Sequence, residues 1–173
     1  MDVSAKFVLA RVLIWAGDPE EALRVGDEAA SRDMRYGYWG WSRLQALLAA
    51  GRVSDAMAHI EGSEHVAGIE TLGPLFRAAL AGDAELARQL AKELCPTALG
   101  CAALAGDRER ANEIAARIDA HPGGFSVLTT SVFNCKCGAP FDLEATPNYK
   151  ARIEEAGFTW PPVTRIDYPT KTW

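Results

Sequence analysis

Polar and apolar positions alternate along this chain with the period of an α-helix, in stretches that pair off around a recurring phrase. Residues 4–16 are apolar round most of a helical circumference, through Phe7, Leu9, Ala10, Leu13 and Ile14, which predicts a largely buried helix. Residues 19–31 read differently. Ala22, Val25, Gly26 and Ala29 form a narrow stripe of small residues, while Glu20, Glu21, Arg24, Asp27 and Glu28 take the water side. A third helix carries Tyr36, Tyr38, Trp39 and Trp41, then Leu44, Leu47 and Leu48, and stops at Gly51. A short fourth is expected over 54–61. A fifth covers 69–81, with Pro74 either in its first turn or kinking it. A sixth covers 84–94, with Leu86, Leu90 and Leu94 on one face. Pro96 opens a compact seventh that ends at Ala105, and an eighth covers 108–120.

The phrase between them is Ala-Gly followed by a polar residue: Gly17-Asp18, Gly51-Arg52, Gly82-Asp83 and Gly106-Asp107, with Ala16, Ala50, Ala81 and Ala105 ahead of the glycines. Five residues after each Gly stands another Ala: Ala22, Ala56, Ala87 and Ala111. Glycine suits the left-handed residue that ends a helix. Asp18, Asp83 and Asp107 suit the cap of the next one, and Ser54 with Asp55 takes that place after the longer Gly51-Arg52-Val53 link. The later Ala lets two helices approach closely. Each phrase therefore predicts the turn of a helical hairpin.

The pattern breaks at Pro122-Gly123-Gly124. Residues 125–133 favour a ninth helix, although Val127, Thr129, Thr130 and Val132 would also suit a strand. Cys135-Lys136-Cys137-Gly138 reads as a tight irregular segment, and Thr146-Pro147 starts a final helix that Gly157 closes. The stretch 158–173 holds Pro161, Pro162 and Pro169 with Phe158, Trp160, Tyr168 and Trp173. It is too rich in proline for a helix and too aromatic for a plain disordered tail.

Composition narrows this little further. A chain of 173 residues with 49% hydrophobic and 24% charged residues is one globular domain by size, able to bury roughly 70% of its unfolded surface. A net charge of −5 argues against a general nucleic-acid or anionic-membrane surface. No apolar run reaches membrane-spanning length. Residues 7–16 mimic a signal sequence, but Arg11 interrupts them and Asp18, Glu20 and Glu21 follow where small residues would be needed, so a cytoplasmic protein is expected.

The 34-residue interval from Gly17 to Gly51, the turn phrase, and Leu9, Ala10 and Leu13 in the first helix resemble the tetratricopeptide repeat. The resemblance covers residues 3–120; the later intervals shrink to 31 and 24. It implies an all-α fold: an α-α superhelix or solenoid of about four helical hairpins over 1–121. An extension, 122–173, would add a helix and an extended aromatic, proline-rich tail packed on the repeats as one compact domain. It also implies a concave groove lined by the first helix of each pair. By position the lining is Phe7, Arg11, Ile14 and Trp15, then Tyr38, Trp41, Gln45 and Leu48, then Ile69, Leu72 and Phe76. The positions of the carboxylate clamp found in peptide-binding members of that family hold Phe7, Arg11, Ser42, Ile69 and Gly73 here, so the clamp is absent. An apolar groove needs a cover. The aromatic tail is one candidate and a protein or peptide partner is the other.

Chemistry-bearing patterns are sparse. Cys95, Cys101, Cys135 and Cys137 form the one conceivable metal set, but one and five residues separate the pairs where structural zinc sites favour two to four. Free thiols are the expectation for all four. His59, Glu61, Glu64 and His65 match no zinc-hydrolase spacing and read as a solvated loop. No phosphate loop and no nucleophile elbow occurs. The expected function is a non-enzymatic scaffold without cofactor, binding a protein or peptide on its helical surface. A metal- or redox-responsive module built on the four cysteines is the alternative.

Overall fold

The computed structural model describes residues 3–32, 37–63, 66, 68–135, 139–160 and 169–170, with the side chains of residues 37, 38 and 133–135 left undescribed. Among the described residues ten α-helices follow one another: α1 (Val3–Ala16), α2 (Pro19–Arg32), α3 (Gly37–Ala49), α4 (Val53–Gly62), α5 (Ile69–Leu80), α6 (Ala84–Leu94), α7 (Leu99–Leu104), α8 (Arg108–Asp119), α9 (Gly124–Cys135) and α10 (Pro147–Glu155). A 3-10 turn, Leu143–Ala145, precedes the last. No strand forms among the described residues, and the fold is all-α, with consecutive helices packed as hairpins.

The four glycine turns share one hydrogen-bond scheme. Gly17, Gly51, Gly82 and Gly106 all have φ between 68° and 84°. At each turn the next residue's amide reaches back to a carbonyl five residues earlier: Asp18 to Leu13, Arg52 to Leu47, Asp83 to Ala78 and Asp107 to Ala102, at 2.9–3.0 Å. This is the Schellman closure, which satisfies carbonyls a helix end would otherwise leave orphaned. The caps follow. Asp18 accepts from the Glu21 amide at 3.3 Å, Asp83 from Leu86 at 3.0 Å and Asp107 from Arg110 at 3.3 Å. Ser54 and Asp55 do not cap the fourth helix: α4 starts at Val53, and Arg52 stands at its N-cap without a side-chain bond. Ala22, Ala56, Ala87 and Ala111 are fully buried, as small residues at close helix crossings should be.

The chain divides into two compact units, Met1–Gly73 and Pro74–Trp173. The division falls inside α5, where Pro74 supplies no amide to the helix ladder. The expected boundary at 121/122 lies within the second unit, where α8 packs on α9. In the first unit α1 packs on α2 and α3, α2 on α3, and α3 on α4. The Trp39 ring occupies the space a Cβ on Gly26 would need, its nearest atom 2.1 Å from that point. Its indole N–H donates to Asp27 at 2.8 Å, and the ring lies 6.0 Å from Phe7. Gly26 thus serves as the slot for a large aromatic, which explains a glycine inside a helix at a cost of about 1 kcal/mol in propensity.

In the second unit, Leu99, Ala111, Ile114, Leu128, Phe141, Tyr149 and Ile153 form one core, with Phe125 and Trp160 packed against it. The Phe141 and Trp160 rings stand 5.3 Å apart, and both lie within 6.0 Å of Tyr149. The stretch after Pro122 is helical: α9 buries Leu128 and Val132, and the Thr129 and Ser131 hydroxyls donate to carbonyls four residues back. Those back-bonds let hydroxyl and β-branched residues sit in a helix they do not intrinsically favour.

Polar bonds of long sequence separation stitch this unit. Asp119 is 6% exposed and accepts the amides of Asn148 at 2.9 Å and Tyr149 at 2.8 Å. It thereby caps α10 from another helix; Thr146, at the N-cap itself, makes no such bond. Asp142 receives Arg108 through two bonds of 2.8 Å and the Asn112 amide at 2.7 Å. The described end of the tail docks here too. The Thr170 hydroxyl donates to the Leu104 carbonyl at 2.6 Å. The Thr170 carbonyl oxygen lies 1.9 Å from where a Cβ on Gly106 would stand, and Pro169 rests against Gly82.

Candidate functional site

The helix α1 differs from its prediction on one side. Its inner face is core: Phe7, Ala10 and Ile14 are 5% exposed or less. Its outer face is not covered. Val8 is 62% exposed, Val12 47%, Trp15 39% and Leu9 37%. Val8, Val12 and Trp15 recur at helical spacing, so they line one face with Leu9 at its edge. A helix apolar all round is expected to be buried all round; the first unit supplies neighbours for half of that circumference. Single exposed aliphatics are ordinary on a protein surface, whereas several on one helix face are not.

The charge on this face is Arg11, exposed, with its guanidinium carbon 5.3 Å from the centroid of the Trp15 ring. The acids of α2 are engaged elsewhere. Lys6 pairs with Glu28, Arg32 reaches the same carboxylate at 3.0 Å, and Arg24 pairs with Glu21 at 2.6 Å. The hydrogen bond from Lys6, chiefly, holds the Glu28 carboxyl below the usual carboxylate range, and the bond from Arg24 does the same for Glu21.

The groove residues expected from the sequence separate into two groups. Phe7, Ile14, Leu48, Ile69 and Phe76 are buried side chains of the chain's own core, at 9% exposure or less. Trp41, Gln45 and Leu72 are half-buried, and Arg11 and Trp15 are exposed. The Tyr38 side chain lies outside the described residues. The pattern could not separate the groups, because a groove-lining residue and a core residue on the same helix are both apolar and lie one helical position apart. Val8 and Val12 were passed over for the same reason. The described part of the tail, Pro169 and Thr170, lies against the turns at Gly82 and Gly106. Phe158 is 68% exposed, and Trp160 joins the second unit's core.

Two expectations about side-chain chemistry need correction. Cys95 and Cys101 are not free thiols: their sulfurs are bonded, with Cα atoms 6.3 Å apart. Sulfurs bonded to each other are not thiolates and cannot ligate zinc. Cys137 and the Cys135 side chain lie outside the described residues. His59 is not in a solvated loop but half-buried within α4. Its Nε2–H donates to the Gly40 carbonyl at 2.7 Å, and its Nδ1 accepts from the Ser63 hydroxyl at 3.2 Å. Burial, chiefly, pushes its pKa down from 6.5, with the nearby Arg43 acting in the same direction and the Gly40 bond opposing. Glu61 is exposed, and Glu64 and His65 lie outside the described residues. Among the described residues no three His, Cys, Asp or Glu side chains converge as metal ligands, and no helix is long and apolar enough to cross a membrane.

The chain was compared with protein-family models, with curated proteins and with solved structures, and none of them matches.

Proposed function

We propose that this protein is a non-enzymatic docking scaffold, of tetratricopeptide-like descent, whose partner seats on the outer face of α1. The observation that carries the reading is the exposed row Val8, Val12 and Trp15, with Leu9 beside it and Arg11 as its charge. The partner fitting such a face is a protein helix with an apolar stripe and a carboxylate at its edge. The stripe would cover the valines and Trp15, and the carboxylate would pair with Arg11. Aromatic and arginine side chains are the types that most often anchor protein interfaces. The reading places the protein in the cytoplasm, where such a partner would meet it.

The test is comparative capture from the source cell with the wild-type chain and with a Val8→Asp, Val12→Asp variant, then titration of the purified pair. The reading expects one protein bound by the wild type, at least about ten-fold more weakly by the variant, and more weakly still as salt rises. Equal capture by both chains overturns it. So does concentration-dependent dimerisation that the two substitutions abolish, which gives the face to a second copy, or sedimentation with neutral lipid vesicles, which gives it to a membrane surface.

A further inference from the structure

The Cys95–Cys101 bond sits at a mechanically sensitive place. The helix α7 has six residues, too few to be stable alone. Its N-cap, Ala98, makes no side-chain bond to the first turn. Yet α7 is central to its unit: it packs on α6, α8 and α9, and Leu99, Cys101, Ala102, Ala103 and Leu104 are buried. Three tethers compensate. The disulfide ties the middle of α7 to the C-cap of α6. Arg110 of α8 donates to the Pro96 carbonyl in the loop that the disulfide closes. At the other end Thr170 bonds the Leu104 carbonyl. Of the three, the disulfide alone can be switched by chemistry, and its two sulfur-bearing residues are unequally accessible. Cys95 is half-buried, whereas Cys101 is 7% exposed.

We propose that Cys95–Cys101 is a thiol-exchange switch on α7, and that its reduction loosens α7 and releases the C-terminal segment held at Thr170. The reductant is a dithiol, either a small molecule or a thioredoxin-class protein. One of its thiolates attacks the sulfur of Cys95, the less buried of the two residues. The protein S–S bond breaks, a mixed disulfide forms at Cys95, and Cys101 leaves as a thiolate that takes up a proton. The second reductant thiolate attacks its own partner sulfur in the mixed disulfide, closing the reductant's disulfide and releasing Cys95, which is protonated in turn. Two electrons pass from the reductant to the protein, and a glutathione-type disulfide reverses the step. In a reducing compartment the bond would turn over, and in an oxidising one it would persist. Freed of the bond, α7 keeps its buried side chains but loses the covalent limit on its unfolded excursions. The Leu104 carbonyl that anchors Thr170 then moves with it. The switch stands apart from the docking face on α1, and either reading can fail without the other.

Hydrogen–deuterium exchange of the full wild-type chain tests it, with oxidised protein compared against protein held in excess dithiothreitol. Intact mass confirms the gain of two protons, and alkylation mapping assigns it to Cys95 and Cys101. The expected result is exchange in peptides spanning α7 that is faster by at least about ten-fold on reduction, with the segment around Thr170 following and peptides of α1 and α2 unchanged. Unchanged α7 exchange in protein shown to be reduced overturns the proposal, as does full alkylation of both cysteines before any reductant is added. A Cys95→Ser chain should behave as the reduced wild type in either buffer; a retained redox response in α7 would equally sink the idea.

Discussion

The two units use one turn and brace it differently. At Gly17 and Gly51 nothing lies within 4 Å of where a side chain would begin, and an exposed ion pair, Arg52 with Glu20 at 3.5 Å, links the Gly51 turn to α2. At Gly82 and Gly106 the tail lies on the turns, and Thr170 closes on Gly106 more tightly than any side chain would permit. The same contrast runs through the interiors. The first unit is held by apolar interdigitation between consecutive helices, with Trp39 filling the slot at Gly26. The second unit adds polar bonds that join residues about 30 apart in sequence, buried at Asp119 and part-buried at Asp142. A repeated motif thus fixes the hairpins without fixing how they are finished. The short helix α7 adds to its apolar packing a covalent tie at Cys101 and a polar one from Thr170.

The largest break in this contrast should come from Asp119→Ala. It leaves two amides at the start of α10 without an acceptor, at a site where water is largely excluded. Loss of about 3 kcal/mol is expected, read by urea unfolding, with exchange in α10 and the Phe141–Tyr149–Trp160 cluster rising before any change in α1 to α4. Next comes the pair of turn substitutions. Gly51→Ala meets only the strain of positive φ, about 1 kcal/mol. Gly106→Ala meets that strain and also displaces the Thr170 carbonyl, so about 2 kcal/mol or more is expected. Equal losses at the two glycines would mean that the tail contributes nothing at its docking point. The smallest effect sharpens the first unit. Its polar tie at His59 has a pKa lowered in the folded state. Above pH 6.5 both states are neutral there and the tie is complete. As pH falls below 6.5 the unfolded chain takes the proton first, so stability falls, with a slope of at most about 1.4 kcal/mol per pH unit, until the folded-state pKa is passed. A His59→Gln chain should lose that slope in melting curves recorded between pH 7 and 5.

Much of the architecture was legible because its signals are local. Ala-Gly-Asp writes a helix end, a left-handed residue and a helix start within three positions, and the buried Ala five residues later sits on the same hairpin. The candidate site was less legible. Arg11 and Trp15 stood among the expected docking residues, but so did Phe7 and Ile14, which the core absorbs. Apolar character says that a residue will avoid water; only the number of neighbouring helices says whether it succeeds. The paired Cys95 and Cys101 were missed because a chain of this size has no energetic need for a disulfide, and spacing alone does not bring two sulfurs together.

By itself, then, the sequence determined the helices, their turns and the alanines on which they cross, since each depends on bonds and contacts within a few residues. The tertiary structure alone decided which half of α1 stays exposed, that Asp119 caps a helix some 30 residues away, and that Thr170 seats on the Gly106 turn. These outcomes depend on the distance between segments remote in the chain, and no local pattern of polar and apolar residues encodes that distance.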